Sequence, residues 1–418
     1  MIDLGFFALY RFVFIPMAFV TLQILRPLLP IKIRTMIDDR RQKNFQHLQS
    51  RPFWIHASSG EIEYAKSVIR GLKEKFPQVP ILVTYFSPSA KKLIQKFEGV
   101  DLALPLPWDT RAEVSRFLQF YRPRALLIAR TDVWPEMAYQ TRQQKIPSLL
   151  FAATLADKSS RKNIFSAPLS RFSFHCLDEI FCVSEADMEN FENLGVKTPL
   201  KMAGDTRFDQ VLYRLRNPQA LPENLRLPTA SPIFIIGSSW PQDEAVIFPT
   251  LKTWCALGGK VILASHEVGP ERIKNLEHQL RSLGLTHENV LLVDQIGFLQ
   301  ELYALAAKTP GSLAFVGGSF KDKVHSVMEP LACGLPVVVG PYHENNREAL
   351  QFQHVALTAD FFAVTVVTNS EELSRVQNLS LSHPETSPLL QKKVQSFSGA
   401  TQAVLRWVSA ALEPLTKS

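Results

Sequence analysis

Cysteine is scarce in this chain: Cys176, Cys182, Cys255 and Cys333 are the four in 418 residues, and none forms a C-x-x-C pair. No histidine cluster at zinc spacing accompanies them, so no metal is expected, and the thiols fit small buried apolar groups in a reducing compartment. Short-period repeats are absent. The pattern of a secretory signal is also missing, because charge does not precede the first apolar run and no small-residue cleavage site follows it. A clean membrane span is lacking too, since the uncharged run Phe12 to Leu25 has 14 residues where a span needs roughly 20.

What is present is an apolar opening segment and two series of strand and helix patterns. At 418 residues the chain exceeds one ordinary core, and two domains of roughly 150 to 200 residues are expected. A formal charge of +7 and a pI near 9.1 favour an anionic partner: nucleic acid, an acidic lipid surface or a phosphorylated substrate.

From Leu4 to Leu25 the residues are almost all apolar, interrupted by Arg11 and Pro16, and Arg26, Lys32, Arg34, Arg40, Arg41 and Lys43 follow. The segment reads as an uncleaved anchor with the rest of the chain on the cytoplasmic side. Three arrangements remain open. A span would make Arg11 snorkel, at about 2 to 3 kcal/mol if central; the others are a helix in the interface and one packed on the protein's own domain.

Strands are expected at 53–56, Ile81–Tyr85, Leu104–Leu106, Ala125–Ala129, Ser148–Ala152 and Ile180–Val183, with helices between them. The arrangement predicts an α/β, doubly wound parallel sheet whose ligands bind at the strands' C-terminal ends. His56, Glu61 and Asp132 follow strands and so share one rim. Glu61, in the first turn of a helix, is either a capping carboxylate or, if it faces a cleft, a base for a substrate hydroxyl. A proline-dense stretch containing Pro218, Pro222, Pro228 and Pro232 reads as a linker.

A second series runs from Ile233 through Val261–Ala264, Val290–Val293, Ala314 onward, Pro336–Val339, Val355–Leu357 and Val364–Val367, and Pro388–Leu412 is expected to be helical. Its centre is AFVGGSFKDKVHSVMEPLACGLPVVVGPYHENN, from Ala314 to Asn346. The glycine pair after a strand lets a ligand approach the backbone, and a following helix carrying His325, Glu329 and Pro330 would offer free N–H groups to a phosphate. Glu329 would then accept from ribose hydroxyls.

The motifs HASSGE, GDTRFD, GSSWPQDE, ASHE and VGGSFKDKVHSVMEP, in this order, resemble the 3-deoxy-D-manno-octulosonic acid (Kdo) transferases of lipopolysaccharide synthesis. The resemblance covers nearly the whole chain, as a divergent member. It implies a GT-B glycosyltransferase: two Rossmann-like doubly wound domains facing across a cleft, with an N-terminal membrane-anchor helix. The expected divisions are an anchor at 1–34, an acceptor domain at 35–212, a linker at 213–232, a donor domain at 233–390, and a final helix at 391–418 crossing back to the first domain. The implied partners are CMP-Kdo, the lipid A precursor and the cytoplasmic face of the inner membrane, with no nucleic acid and no metal or other cofactor.

Carried across by residue, the resemblance implies Glu61 as general base and Asp132 as a supporting acid. It implies His56, Ser58, Ser59 and Gly60 on the acceptor side. Gly237, Ser238, Ser239, His266, Gly317, Gly318, Ser319, His325, Ser326 and Glu329 would bind the donor. The pattern departs from the family at Arg130, where an acid is usual, and at Trp240 and Ser265. A basic surface at Lys66, Arg70, Lys73, Lys91 and Lys92 would meet acceptor phosphates or is a solvated helix face. Competing readings are a nucleotide-sugar 2-epimerase on the same fold and a membrane-docked nucleotide-binding scaffold without turnover.

Overall fold

The computed structural model describes every residue except 1, 42–44, 96, 226–229 and 414–418, together with all side chains but those of Ser89, Lys92 and Gln95. Lys43, Pro228 and the side chain of Lys92 therefore lie outside what is described. The chain folds as two compact units, residues 1–210 with 397–418, and residues 211–396.

In the first unit, strands Phe53–His56 (β1), Ile81–Tyr85 (β2), Leu102–Pro105 (β3), Ala125–Ala129 (β4), Ser148–Ala153 (β5), Glu179–Cys182 (β6) and Leu200–Met202 (β7) form one parallel sheet in the order β3-β2-β1-β4-β5-β6-β7. β1, β2, β4 and β5 are buried along their whole length. Runs such as ALLIA and SLLFAA are apolar without alternation because helices cover both faces of the sheet. Two buried clusters fill those faces, one around Ile55, Val68 and Val83, the other around Trp54, Phe117 and Ile128. The last helix, Ala400–Leu412, packs into the first cluster through Val404, Leu405 and Val408.

In the second unit, Ile233–Ser239 (β8), Lys260–Ser265 (β9), Val290–Val293 (β10), Leu313–Val316 (β11), Val337–Val339 (β12) and Val364–Val366 (β13) form a parallel sheet in the order β10-β9-β8-β11-β12-β13. Phe234, Ile236, Leu263 and Phe315 build its core against helices Pro241–Ala256 and Ser370–Ser382.

Three local expectations need correction. Val355–Leu357 is no strand: the only bridge there joins Ala356 to Phe362, because the chain folds back at once, with Leu357 N–H donating to the Phe361 carbonyl at 2.8 Å. His325 is not helical; the helix is the short Met328–Cys333, and His325 lies in the loop before it. The C-terminal helical stretch is two helices, Thr386–Gln395 and Ala400–Leu412, parted at Gly399, whose φ of +109° is left-handed. β7 and the helix Thr206–Arg216 were not expected.

Ile2–Leu28 is one continuous helix, long and apolar enough to cross a membrane, with a mean hydropathy of 1.8 over an 18-residue stretch. Pro16 has no N–H to give the preceding turn, and Tyr10–Phe14 widens into a π-turn in which Ile15 N–H donates to the Tyr10 carbonyl.

Candidate functional site

Each sheet reverses its strand order once, and an open parallel sheet holds ligands beyond the carboxyl ends of its strands at that reversal. In the first unit the reversal falls between β1 and β4. His56 ends β1 and Asp132 follows β4, so the register brings His56 Nε2 within 3.3 Å of Asp132 Oδ2. His56 is fully buried. Its Nδ1 lies 3.1 Å from Thr84 Oγ1, which accepts from Trp54 Nε1–H at 2.9 Å. Nδ1 lies equally 3.1 Å from the Thr84 carbonyl oxygen, so on that side the ring has both a carbonyl and a hydroxyl within reach, while Nε2–H donates to Asp132.

Asp132 also accepts from Trp134 Nε1–H at 3.2 Å and from Ser58, and Arg161 stands 3.7 Å away. Burial alone would raise its pKa; the hydrogen bonds from His56, Ser58 and Trp134 and the charge of His56 outweigh this and hold the carboxyl well below its usual range. A carboxylate held so firmly orients its neighbours and is poorly suited to accept a proton. Glu61 differs. It is the N-cap of helix Ile62–Lys75, half-exposed, and its Oε2 accepts from Ser59 N–H at 2.7 Å. Ser58 and Ser59 are half-exposed and Gly60 is exposed, whereas His56 is interior and reaches the rim only through Asp132.

Asp132, Trp134, Arg161, Asn163, Phe165 and Tyr10 line a cavity of about 530 Å3 beside this rim. Of the basic residues proposed to receive phosphates, Lys66 pairs with Glu63, Arg70 donates to Gln210, Lys73 pairs with Asp101 and Lys91 with Asp39. Each is engaged within the unit, which favours the structural reading of that surface. Arg130 places its guanidinium 4.9 Å from the centre of the Tyr64 ring.

In the second unit the reversal lies between β8 and β11, and the two glycine motifs close those strands. They cross so tightly that a Cβ on Gly317 would sit 2.2 Å from the Ser238 carbonyl oxygen, and Gly318 has φ of +84°. Ser238 itself is left-handed at φ +57°, a strained backbone for a residue with a side chain. The crossing is tied by Asp243, which is fully buried. Its Oδ2 accepts from Gly318 N–H at 2.7 Å and Trp240 N–H at 2.9 Å, and its Oδ1 accepts from Phe320 N–H at 3.0 Å.

The expected row of free amides is therefore largely occupied, since Gly317 N–H also donates to the Gly237 carbonyl at 2.8 Å. Ser319 is fully buried; its hydroxyl donates to the Val316 carbonyl at 3.1 Å and accepts from Gly340 N–H at 2.7 Å. Ser239, also buried, donates to Glu244 at 2.8 Å, and Glu244 pairs with Arg272. These two serines hold the loops together and do not face a ligand.

Ser238, His325, Ser326 and Glu329 do converge, on a cavity of about 320 Å3 that Arg214 and Tyr303 also line. Beside it Trp240, His266 and His325 stack, with ring centres 4.3 and 4.8 Å apart, and the Lys321 ammonium lies 3.6 Å from the centre of the Trp240 ring. Burial first, and His266 second, hold the His325 pKa below the usual imidazole range, with Asp243 opposing. His325 Nε2 is buried with no hydrogen-bond partner. A cation, a carboxylate and an unpaired imidazole nitrogen around one cavity suit a phosphate and vicinal hydroxyls. Among the described residues, no group of three or more His, Cys, Asp or Glu side chains is placed to hold a metal ion.

Sequence reading missed Asp243, Arg161 and Arg214. Asp243 stands three residues after Trp240, the position of a carboxylate that caps its own helix, and this hides its longer reach.

Residues 35–210 match the sequence profile described as 3-deoxy-D-manno-octulosonic-acid transferase (kdotransferase). The 3-deoxy-D-manno-octulosonic acid transferase of Aquifex aeolicus is 28% identical over 313 residues, covering 72% of this chain and 78% of that one. The transferases of Chlamydia pneumoniae and Haemophilus influenzae are 26% and 25% identical, over 71% and 76% of this chain and 71% and 79% of their own. Among solved structures, the UDP-GlcNAc 2-epimerase of Neisseria meningitidis superposes with a TM-score of 0.60 at 15% identity, covering 85% of this chain and 98% of that one. That likeness is one of fold, the GT-B class of paired doubly wound units.

Proposed function

We propose that the chain is a Kdo transferase that moves Kdo from CMP-Kdo to a hydroxyl of the lipid A precursor, with inversion at the anomeric carbon, a reading supported by the profile matched over residues 35–210 and by the transferases at 25 to 28% identity. The reading rests chiefly on Glu61, a half-exposed carboxylate beside the Asp132 rim whose described partner is one backbone N–H. Glu61 takes the proton from the acceptor hydroxyl as its oxygen bonds to the anomeric carbon. The bond from that carbon to the phosphate oxygen breaks, and CMP leaves with the electron pair.

Asp132, fixed by His56, Ser58 and Trp134, orients the acceptor side. Glu329 receives the ribose hydroxyls, with His325, Ser326 and Arg214 around the phosphate and the Kdo acid. The enzyme works at the cytoplasmic face of the inner membrane, held by Ile2–Leu28. The test is Glu61→Gln, which keeps the shape and removes the base. CMP release in the presence of CMP-Kdo and lipid A precursor should fall about 100-fold or more, while CMP affinity stays at the parent value. Near-normal turnover would remove Glu61 from its role.

A further inference from the structure

Every polar or charged residue of the apolar N-terminal helix that the first unit touches lies on one stripe. Asp3 accepts from Arg171 Nε at 2.6 Å. Phe7, one turn on, is buried, with its ring stacked 4.1 Å from that of Phe172. The Tyr10 hydroxyl donates to Asp109 at 2.8 Å, and Arg11 pairs at 2.9 Å with Glu136, whose side chain is wholly buried. Phe19 meets Trp108 edge to face at 5.8 Å, and Arg26 pairs with Asp38 of the following helix. Gln23 accepts from Arg41 Nε–H at 2.9 Å, and the contacts at 3, 7, 10, 11, 19, 23 and 26 dock one side of the helix over a length of about 35 Å.

The opposite face is apolar and bare. Leu4, Phe12, Met17, Val20, Ile24 and Leu28 are all more than half exposed. Phe165, 83% exposed, shares a cavity wall with Tyr10, so its loop stands beside the docked helix. A helix crossing the bilayer needs hydrocarbon on all sides. This one would have to carry Asp3 and Arg11 away from Arg171 and Glu136, and Glu136 would be left buried without its cation.

We propose that Ile2–Leu28 does not cross the membrane but lies along the surface of one leaflet, docked on the first unit by its polar stripe, with its bare apolar face and Phe165 in the lipid. The occupant is lipid rather than a second copy of the chain because the charged groups of the segment are turned inward and the outer face offers only hydrocarbon. That composition suits the headgroup and acyl boundary. This inference does not depend on which sugar or acceptor the enzyme uses.

The test is site-directed spin labelling of the full chain in vesicles of phosphatidylethanolamine and phosphatidylglycerol. Single cysteines replace Leu4, Phe12, Met17, Ile24 and Phe165 in turn, in a chain carrying Cys255→Ser; Cys176, Cys182 and Cys333 are buried. Depth is read from accessibility to oxygen and to a water-soluble nickel chelate. All five positions should report one shallow depth of about 5 to 10 Å. Met17 at the bilayer centre with Leu4 and Ile24 at opposite surfaces would establish a span and overturn the proposal. Dipolar broadening between labels on separate chains without oxygen accessibility would assign the face to a second copy, and overturn it equally.

Discussion

Asp243 should be the residue on which the second unit's loop crossing depends most. In Asp243→Asn the side chain keeps its shape and one acceptor oxygen. With that oxygen placed at the Oδ2 position it still serves Gly318 and Trp240, and the Phe320 N–H then faces an amide NH2. One buried donor left unpaired costs about 1 to 3 kcal/mol, which is about 5- to 150-fold in CMP affinity if the loss falls on the binding-competent loop. Asp243→Ala leaves all three donors unpaired and costs about 3 kcal/mol or more. For a unit of 186 residues (396 − 211 + 1) the asparagine variant should melt lower by roughly 2 to 12 °C, at 2 to 4 °C per kcal/mol. Calorimetric titration with CMP and a thermal scan of both variants measure this. If Asp243→Asn binds CMP within about twofold of the parent and melts unchanged, the carboxylate is not what holds the crossing.

Other outcomes follow from the first unit. Burial pushes the Asp109 carboxyl up to about 6, against the hydrogen bonds it receives from the Glu136 and Met137 amides and Tyr10. An acid with a folded pKa above its unfolded value stabilises fully below about pH 4, and the effect is lost as pH rises through about 6. The melting advantage of the parent over Asp109→Asn should therefore shrink between pH 4 and 7, by at most about 3 kcal/mol; an advantage that grows with pH would refute the assignment. Arg11→Ala should loosen the N-terminal helix, because Glu136 then keeps a buried charge without its partner, at about 3 to 5 kcal/mol. Limited proteolysis near Arg26 should quicken, and adding Glu136→Gln should restore part of the resistance. Unchanged proteolysis in Arg11→Ala would mean the pair is not what docks the helix.

The parts of the fold legible in the sequence were those where one local signal suffices. The apolar runs of β2 and β4 lie at their expected bounds, because a strand buried on both faces has no polar position to blur its ends. β7 was missed because it is three residues long with Lys201 and Met202 exposed, so its sequence carries no apolar run. The convergence of Ser238, His325, Ser326 and Glu329 followed from motif order. The occupation of Ser319 and the Gly318 amide did not, since their partners Gly340 and Asp243 are brought near only by sheet order. Arg11 is the clearest case of tertiary context reversing a local reading. As sequence it is a costly charge in an apolar run, and in the fold it is half of an ion pair.

The stacked rings beside the second unit's cavity have an optical consequence. Only Trp240 and Trp254 fall in that unit, and Trp254 is sealed in the core, its Nε1–H donating to the Lys260 carbonyl. Trp240 lies against His266 on one side and near the Lys321 ammonium. Its indole emission is therefore sensitive to the charge of the imidazole and to displacement of the lysine. Trp240 is thus a native fluorophore beside the cavity, and its emission is a direct readout for the proposed binding of a phosphate there.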